Sequence, residues 1–264
     1  MDAQLPPAVS EALTTFLLEQ KRIAPGLVSR AIVTGSAAAG DWHDGASDID
    51  VVFVVTRDPA AELELLAGLH AASRPHIDGV YLTETEIARG PDAVQTAPQV
   101  IDGVLVSSLA GAQLSWVTWR ELEQGVQGIA DGGDVIWTPV ADKHPDAARG
   151  AVSFSRDNLV DYWQPIGDQA EAELADRAPD APVRSETVRW IALGPSRLVA
   201  TMETGEILSK TEAAAFAAER WPEHAELLRR AVLDRSGERQ EFTVGDARQA
   251  IELLRACVRV ASGA

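Results

Sequence analysis

The stretch GSAAAGDWHDGASDID, at residues 35–50, constrains the fold of this chain more than any other part of it. It begins with a Gly-Ser pair and ends in Asp48 and Asp50, and apolar runs typical of strands lie on both sides, AIVT before it and VVFVV after it. Alternate side chains of a strand lie on one face, so the two aspartates would point to the same side of a sheet, about 6.5 Å apart along the chain. The pattern predicts two strands joined by a turn, with two carboxylates at the start of the second strand.

These residues have the chemistry to bind a nucleoside triphosphate together with a divalent metal. Asp48 and Asp50 offer hard oxygen ligands for one or two Mg²⁺ ions. Gly35 allows the backbone to approach a phosphate closely, and the backbone and hydroxyl of Ser36 can donate hydrogen bonds to its oxygens. An Asp-x-Asp pair or a Gly-Ser turn is weak support when taken alone. The two together, in this order and between two apolar runs, are far more specific.

Composition narrows the class of protein. The chain has 264 residues, of which 46% are hydrophobic, which is enough for one large core or two modest ones. No run approaches the roughly 20 apolar residues that span a bilayer, and the N-terminal residues show helical spacing rather than a signal peptide. We therefore expect a cytoplasmic protein without a membrane partner. The lone Cys257 excludes an internal disulfide, and the five histidines lack metal-ligand spacing.

The charge bears on possible partners. A formal net charge of −17 repels phosphate backbones, so we expect no nucleic acid substrate. A cationic small molecule suits this surface better. The alternative is that most of the excess acid only keeps the protein soluble.

Hydrophobic periodicity predicts an α+β chain of two domains. Residues 1–150 would form a small mixed sheet with flanking helices, and residues 151–264 an α-helical bundle, with the active site in the cleft between them. The pattern predicts helices over 7–22 and 62–70 and strands over 30–34, 48–55 and 76–83, and a capping box at Thr118 and Glu121 that opens a helix through Gln124.

A third carboxylate is needed to take the proton of an attacking hydroxyl or to complete a metal site. Asp78 is the best candidate, because it lies in an otherwise apolar strand that follows Asp50 after one helix. Asp102 is the competitor, since it has the same Asp-Gly-Val context further along the chain. Either aspartate alone could be an ordinary surface residue.

A helix start in the C-terminal half is a candidate anion site. Gly205 looks like the end of one helix, and Ser209, with Glu212 three residues later, looks like the N-cap of the next. Lys210 would then lie in the first helical turn, where the helix dipole favours an anion. Arg197, one helix earlier, could reach the same anion. The alternative is that both are solvated surface cations.

The N-terminal motif resembles the nucleotidyltransferase superfamily, in which Gly-Ser and a short variable segment precede Asp-x-Asp at the start of a strand. The C-terminal half is similar to the aminoglycoside 3″/9-adenylyltransferases, the streptomycin and spectinomycin resistance enzymes. The residues that carry this second resemblance are Ser196-Arg197, Thr204-Gly205, Lys210, Glu219-Arg220 and Pro222.

The resemblance implies Mg²⁺-dependent transfer of AMP from ATP to an antibiotic hydroxyl, with release of pyrophosphate. Separately, we expect the protein to be a monomer. It implies a role for each of the following residues: Ser36 and Ser47, with Gly35, at the triphosphate; Asp48 and Asp50 at the metal; Asp78 at the position of the catalytic glutamate and beside the metal; Arg197 and Lys210 at the ATP phosphates; and Trp119 or Trp116, with Glu186, at the antibiotic.

Some features depart from the family. Asp78 is one methylene shorter than glutamate, and Gly194-Pro195 should kink or end the helix before Arg197.

Trp163, Trp190 and Trp221 have helical spacings that favour core positions. Two alternatives stay open: a nucleotidyltransferase with another small-molecule or protein acceptor, and a non-catalytic nucleotide-binding regulatory module.

Overall fold

The N-terminal unit is built on one large sheet. The computed structural model describes residues 5–131 and 133–263, and the chain divides between residues 147 and 148 into two compact units. The first contains the helices α1 (Pro7–Ile23), α2 (Gly35–Ala38), α3 (Leu63–Ala72), α4 (Glu84–Arg89) and α5 (Trp116–Leu122), and the strands β1 (Val28–Val33), β2 (Ile49–Val55), β3 (Ile77–Thr83), β4 (Ala97–Ile101), β5 (Val104–Leu109), β6 (Val126–Asp131) and β7 (Asp134–Pro139).

The sheet is mixed, as the sequence predicts. Its seven strands follow the order β5-β4-β3-β2-β1-β6-β7. β2 and β3 run parallel, and the other neighbouring strands are antiparallel. A parallel pair needs a crossover connection, which α3 provides. The parallel register places Asp50 of β2 directly beside Asp78 of β3.

Both faces of the central strands are covered, which explains why β2 reads as a continuous apolar run. One face, with Ile49, Val51 and Phe53, packs against α1 in one core cluster. The other face, with Val52 and Val54, packs in a second cluster that includes Trp119 of α5. Because side chains alternate, Asp50 and Asp78 lie on this second face, where β2 and β3 begin.

The C-terminal unit is helical, as predicted, apart from two short strands. Its helices are α6 (Ala147–Asn158), α7 (Gln164–Leu174), α8 (Ser185–Thr204), α9 (Lys210–Arg220), α10 (Ala225–Arg235) and α11 (Val244–Ser262), with a π-helical turn at Leu159–Trp163 and the paired strands β8 (Pro182–Val183) and β9 (Phe242–Thr243). Its core includes buried side chains of α8 and α11, such as Val188, Ile191, Leu253 and Leu254.

Of the two effects expected of Gly194-Pro195, a kink or an end of the helix, the second is wrong. α8 continues through Pro195 to Thr204. Proline removes one donor from the helix interior, but the buried faces of α8 on both sides of it hold the helix in the core. Gly194 is required here for space, since a Cβ on it would lie 2.5 Å from Cζ2 of Trp163.

Two further expectations need correction. The N-cap of α5 is Ser115, whose hydroxyl accepts the amide of Thr118, so the N-cap lies three residues before the predicted one and the helix ends at Leu122. Trp190 is 45% exposed and is not a core residue, whereas Trp163 is buried and Trp221 partly buried. Helical spacing alone did not show which of these three tryptophans is exposed, because the elements that pack against a helix decide which of its faces is buried.

Candidate active site

Gly35 lies close to the Asp50 side chain in the candidate site. Gly35 has a φ of +59°, and a Cβ on it would lie 2.2 Å from Oδ2 of Asp50. The amide of Thr34 donates to the main-chain carbonyl of Asp50 at 2.9 Å. Glycine is therefore needed at position 35 both for its conformation and for the close approach of a carboxylate. The sequence interpretation had explained this glycine by the approach of a phosphate.

The loop from Ser36 to Ser47 folds back on itself and returns the chain to the same end of the central strands. The Ser36 carbonyl accepts the amide of Asp41 at 2.9 Å. The Ser47 hydroxyl accepts the amide of His43 at 3.2 Å, and the Ser47 amide donates to the His43 carbonyl at 2.9 Å. Asp48 follows as an exposed residue directly before β2. The motif residues 35, 36, 48 and 50 therefore belong to two adjoining segments, at the end of β1 and at the start of β2.

Asp78 is the best-anchored carboxylate of the site. It is 8% exposed, and both of its oxygens accept main-chain hydrogen bonds: Oδ2 from the Asp102 amide at 2.7 Å and Oδ1 from the Gly103 amide at 3.0 Å. Burial raises the pKa of Asp78 above its ordinary value; the two amide donors oppose that shift, and the nearby charge of Asp48 adds to it. The structure thus brings Asp78 close to the Asp48/Asp50 pair.

Asp102 lies in the turn between β4 and β5, next to Asp78. Its side chain is exposed and its φ is +51°. Its backbone amide donates to Asp78, and the charge of its carboxylate contributes to the raised pKa of Asp78. Sequence reasoning missed this role, although the Asp-Gly pair between apolar residues is the strongest short signal for a hairpin turn.

The carboxylates suit a metal that is shared with a substrate. Within 5–131 and 133–263, no three His, Cys, Asp or Glu side chains form a ready-made metal site. Mg²⁺ is typically held by one or two carboxylates together with substrate phosphates and water. Asp48 and Asp50 fit that requirement, and Asp78, whose two oxygens already accept amides, has less capacity left for a metal.

The anion site predicted in the helical unit has the predicted local structure. Gly205 ends α8 with a left-handed φ of 73°, and Ser209 caps α9 in a capping box with Glu212. Lys210 is the first residue of α9 and is exposed. The Arg197 Nε donates to the Leu208 carbonyl at 2.7 Å, which ties this arginine to the segment directly before the helix start.

Both halves of the chain match models of known families. Residues 13–101 match the nucleotidyltransferase domain, and residues 160–259 match the aminoglycoside adenylyltransferase C-terminal domain. The chain is an aminoglycoside adenylyltransferase-like nucleotidyltransferase. This confirms the resemblance drawn from the motifs and identifies the protein as an enzyme of that kind.

A solved structure agrees with this assignment at the level of the fold. The spectinomycin adenyltransferase AAD(9) from Enterococcus faecialis, crystallised with ATP and spectinomycin, is similar over 96% of this chain and 98% of its own, with 16% identity and a TM-score of 0.59. The comparison with curated proteins gave no significant match. Among the described residues, no helix has the length and apolarity to cross a membrane.

The residues predicted to contact the acceptor of this nucleotidyltransferase differ in their exposure and their hydrogen-bond partners. Trp119 is 1% exposed, and its Nε1 donates to the Ile87 carbonyl at 2.8 Å, so it is a core residue. Trp116 is partly exposed and donates to Asp92 at 3.1 Å. Glu186 is exposed in the first turn of α8, with its carboxylate 2.7 Å from Arg184. Of the two tryptophans, this leaves Trp116 as the better candidate.

An exposed aromatic pair in the helical unit escaped the sequence interpretation. Tyr162 is 50% exposed and Trp190 45% exposed, and their ring centroids are 6.5 Å apart. Both rings contact the buried Trp163. Trp190 follows Glu186 by four residues and so lies on the same face of α8. The π-helical turn that carries Tyr162 is a second signal, because such turns are frequent at functional sites.

Proposed function

We propose that this nucleotidyltransferase transfers AMP from ATP to a hydroxyl of a cationic aminocyclitol antibiotic, of the streptomycin or spectinomycin type, and releases pyrophosphate. The observation that carries the proposal is the grouping of Gly35, Asp50 and Asp78 at the end of the sheet where β2 and β3 begin, with Asp48 directly before β2. It occurs in a chain whose two halves match the two domain models of one enzyme family.

The reaction forms one bond and breaks one. The acceptor oxygen attacks the α-phosphorus in line, the bond from that phosphorus to the bridging oxygen of the β-phosphate breaks, and pyrophosphate leaves with the electron pair. The hydroxyl proton passes to a carboxylate oxygen of Asp78. Asp48 and Asp50 would hold Mg²⁺, which when bound neutralises charge on the triphosphate.

Asp78 suits the role of general base because its position is fixed and its proton affinity is increased. Burial raises its pKa, which makes the carboxylate a stronger base than an exposed aspartate. Each carboxylate oxygen has two lone pairs, so the amides of Asp102 and Gly103 leave acceptor capacity on both oxygens. These hydrogen bonds oppose the rise in the pKa of Asp78, so its increased basicity comes from burial, while the amides fix its position.

Four further side chains are proposed to bind the triphosphate. In this proposal the Ser36 and Ser47 hydroxyls contact phosphate oxygens beside the metal. Arg197 and Lys210 supply positive charge from the helical unit, where the N-terminus of α9 adds its dipole. A lysine in the first turn of a helix is unfavourable on its own, and a bound anion would offset that cost.

The acceptor is proposed from charge and from the relative of known structure. The net charge of −17 favours a cation, and Glu186 and Trp116 are the proposed contacts. Because the similar AAD(9) structure contains ATP and spectinomycin, spectinomycin is the first acceptor to test. A host expressing such an enzyme would be resistant to its acceptor. The cytoplasmic location and the monomeric state stay predictions from the sequence.

The test is to identify the product by mass spectrometry. The protein is incubated with ATP and Mg²⁺ and, in separate reactions, with spectinomycin, streptomycin, kanamycin, a lincosamide or no acceptor. Asp50→Asn serves as the inactive variant, and Asp176→Asn, at an exposed position of the helical unit, is the charge-matched control. An AMP adduct of spectinomycin or streptomycin, formed by the wild type and Asp176→Asn only, supports the proposal.

Other outcomes separate the alternatives. An adduct on kanamycin or the lincosamide would keep the chemistry and change the acceptor class. ATP binding without an adduct on any acceptor would contradict the proposal and favour the regulatory module.

A further inference from the structure

The turn between β4 and β5 holds Asp78 by main-chain groups alone. Ile101 and Val104 are paired across the end of this hairpin, so Asp102 and Gly103 are its two loop residues. Both have positive φ, +51° and +73°, as in the type I′ turns of two-residue hairpins. Their two successive amides point at the two oxygens of one carboxylate, at 2.7 and 3.0 Å.

We infer that this turn is a positioning device for catalysis: the amides of Asp102 and Gly103 fix the Asp78 carboxylate in the orientation from which it accepts the acceptor's proton. The inference rests on the proposed function. A carboxylate that accepts two N–H groups cannot rotate about its last bond without breaking both hydrogen bonds, and hydrogen bonds to a charged acceptor are stronger than those between neutral groups. These two amides, called the clamp below, therefore restrict the rotation of the Asp78 carboxylate before the substrate binds.

His76 explains why the second loop residue is glycine. It precedes β3 and its Nδ1 would lie 2.5 Å from a Cβ on Gly103, with Cε1 at 3.0 Å. The same Nδ1 is buried and has no hydrogen-bond partner among the residues that the structure describes. The imidazole thus occupies the space that a side chain at position 103 would need, and the turn can reach Asp78 only with a glycine there.

The length of the carboxylate side chain is part of the same arrangement. The two amides of the turn lie at the distance from β3 that an aspartate carboxylate reaches. The extra methylene of glutamate would move the carboxylate about 1.5 Å further from the backbone of β3. Misplacement of a reacting group by about 1 Å can reduce the rate about 10²-fold. The clamp thus makes aspartate the required residue here, although glutamate has the same chemistry.

The test compares steady-state kinetics of four variants, once an acceptor is known from the product assay. Gly103→Ala brings a Cβ against His76, and Asp78→Glu moves the carboxylate off the amides. Gly111→Ala is the matched control, because Gly111 has a φ of +66° but open space around its Cβ position. His76→Ala combined with Gly103→Ala removes the clash and leaves only the strain of an alanine at positive φ.

We expect Gly103→Ala and Asp78→Glu to reduce kcat about 10- to 100-fold with KM for ATP changed less than about twofold. Gly111→Ala should stay within about twofold of the wild type, and the double variant should regain kcat relative to Gly103→Ala. Equal kcat values for Gly103→Ala and Gly111→Ala, or wild-type kcat in Asp78→Glu, would overturn the inference.

A measurement independent of turnover detects the clamp itself. In ¹⁵N spectra of the full chain, the amide protons of Asp102 and Gly103 should lie downfield and exchange slowly, and Asp78→Ala should abolish both properties. Unchanged amide signals in Asp78→Ala would also overturn the inference. An inactive wild-type protein would refute the proposed function and this inference with it, whereas an active wild type with an unaffected Gly103→Ala refutes the inference alone.

Discussion

The buried His70 should make the N-terminal unit sensitive to mild acid. His70 is fully buried in α3, with Nδ1 2.8 Å from the Ile77 carbonyl and Nε2 2.8 Å from the Tyr81 hydroxyl. Nδ1 must carry a proton to bond the carbonyl, so in the neutral ring Nε2 accepts the tyrosine proton. Burial lowers the pKa of His70 to about 4.

The magnitude follows from linkage. Above the unfolded-state pKa of 6.5 the histidine is neutral in both states and has no pH effect. Below it the unfolded chain binds a proton that the folded chain refuses, so stability falls as pH drops towards 4. With the folded-state pKa near 4, the loss is about 0.8 kcal/mol at pH 6, 2 kcal/mol at pH 5 and 3 kcal/mol at pH 4. Against a typical total of 5–15 kcal/mol, this is large.

The assay is urea unfolding at pH 7, 6 and 5 of the wild type and His70→Asn, with the transition of the N-terminal unit identified by hydrogen exchange of β3 amides. Asparagine keeps an amide donor but does not titrate. We expect the wild type to lose about 2 kcal/mol more than His70→Asn between pH 7 and pH 5, and to be the more stable protein at pH 7. Equal pH dependence in both proteins would refute the assignment of a neutral, buried His70.

Four further predictions concern the site and the sheet. Asp50→Asn should reduce kcat at least about 10²-fold with an unchanged circular dichroism spectrum, because it removes a proposed metal ligand without changing side-chain size. Asp102→Asn should lose far less kcat than Asp50→Asn in the same assay, since its hydrogen bond to Asp78 is made by the backbone amide and the residue is exposed; an equal loss would make Asp102 the base. Lys210→Ala should raise KM for ATP about 10- to 100-fold with a smaller effect on kcat, as expected for one lost charge-assisted bond to a phosphate. Gly79→Ala should unfold the N-terminal unit in thermal melts, because its Cβ would lie 2.0 Å from the Val51 carbonyl oxygen, and a normal melting temperature would contradict the close approach of β2 and β3.

The parts of the fold that could be predicted from sequence are those in which local chemistry decides the structure. The apolar runs gave β2 and β3, and Ser209 with Glu212 gave the start of α9 to the residue. The two aspartates of the Asp-x-Asp motif were informative because alternate residues of a strand share a face whatever the rest of the fold does.

The parts that could not be predicted depend on tertiary packing or on main-chain groups. The strands β4 and β5 carry no strong periodicity, and their turn contacts Asp78 through amides that every residue possesses. Trp190 is exposed because its position on α8 faces away from the core, which helical spacing cannot reveal. Pro195 stays within α8 because packing of the flanking turns outweighs its local preference.

The measurement that tests the account most directly is Mg²⁺-dependent pyrophosphate release from ATP, with and without spectinomycin or streptomycin, by the wild type and Asp78→Asn. We expect release only when ATP, Mg²⁺ and an acceptor are all present, and a loss of about 10²- to 10⁴-fold in kcat for Asp78→Asn with ATP binding retained. Wild-type turnover in Asp78→Asn would contradict the assignment of the base. An absence of acceptor-dependent release in a wild-type protein that binds ATP would contradict the proposed function.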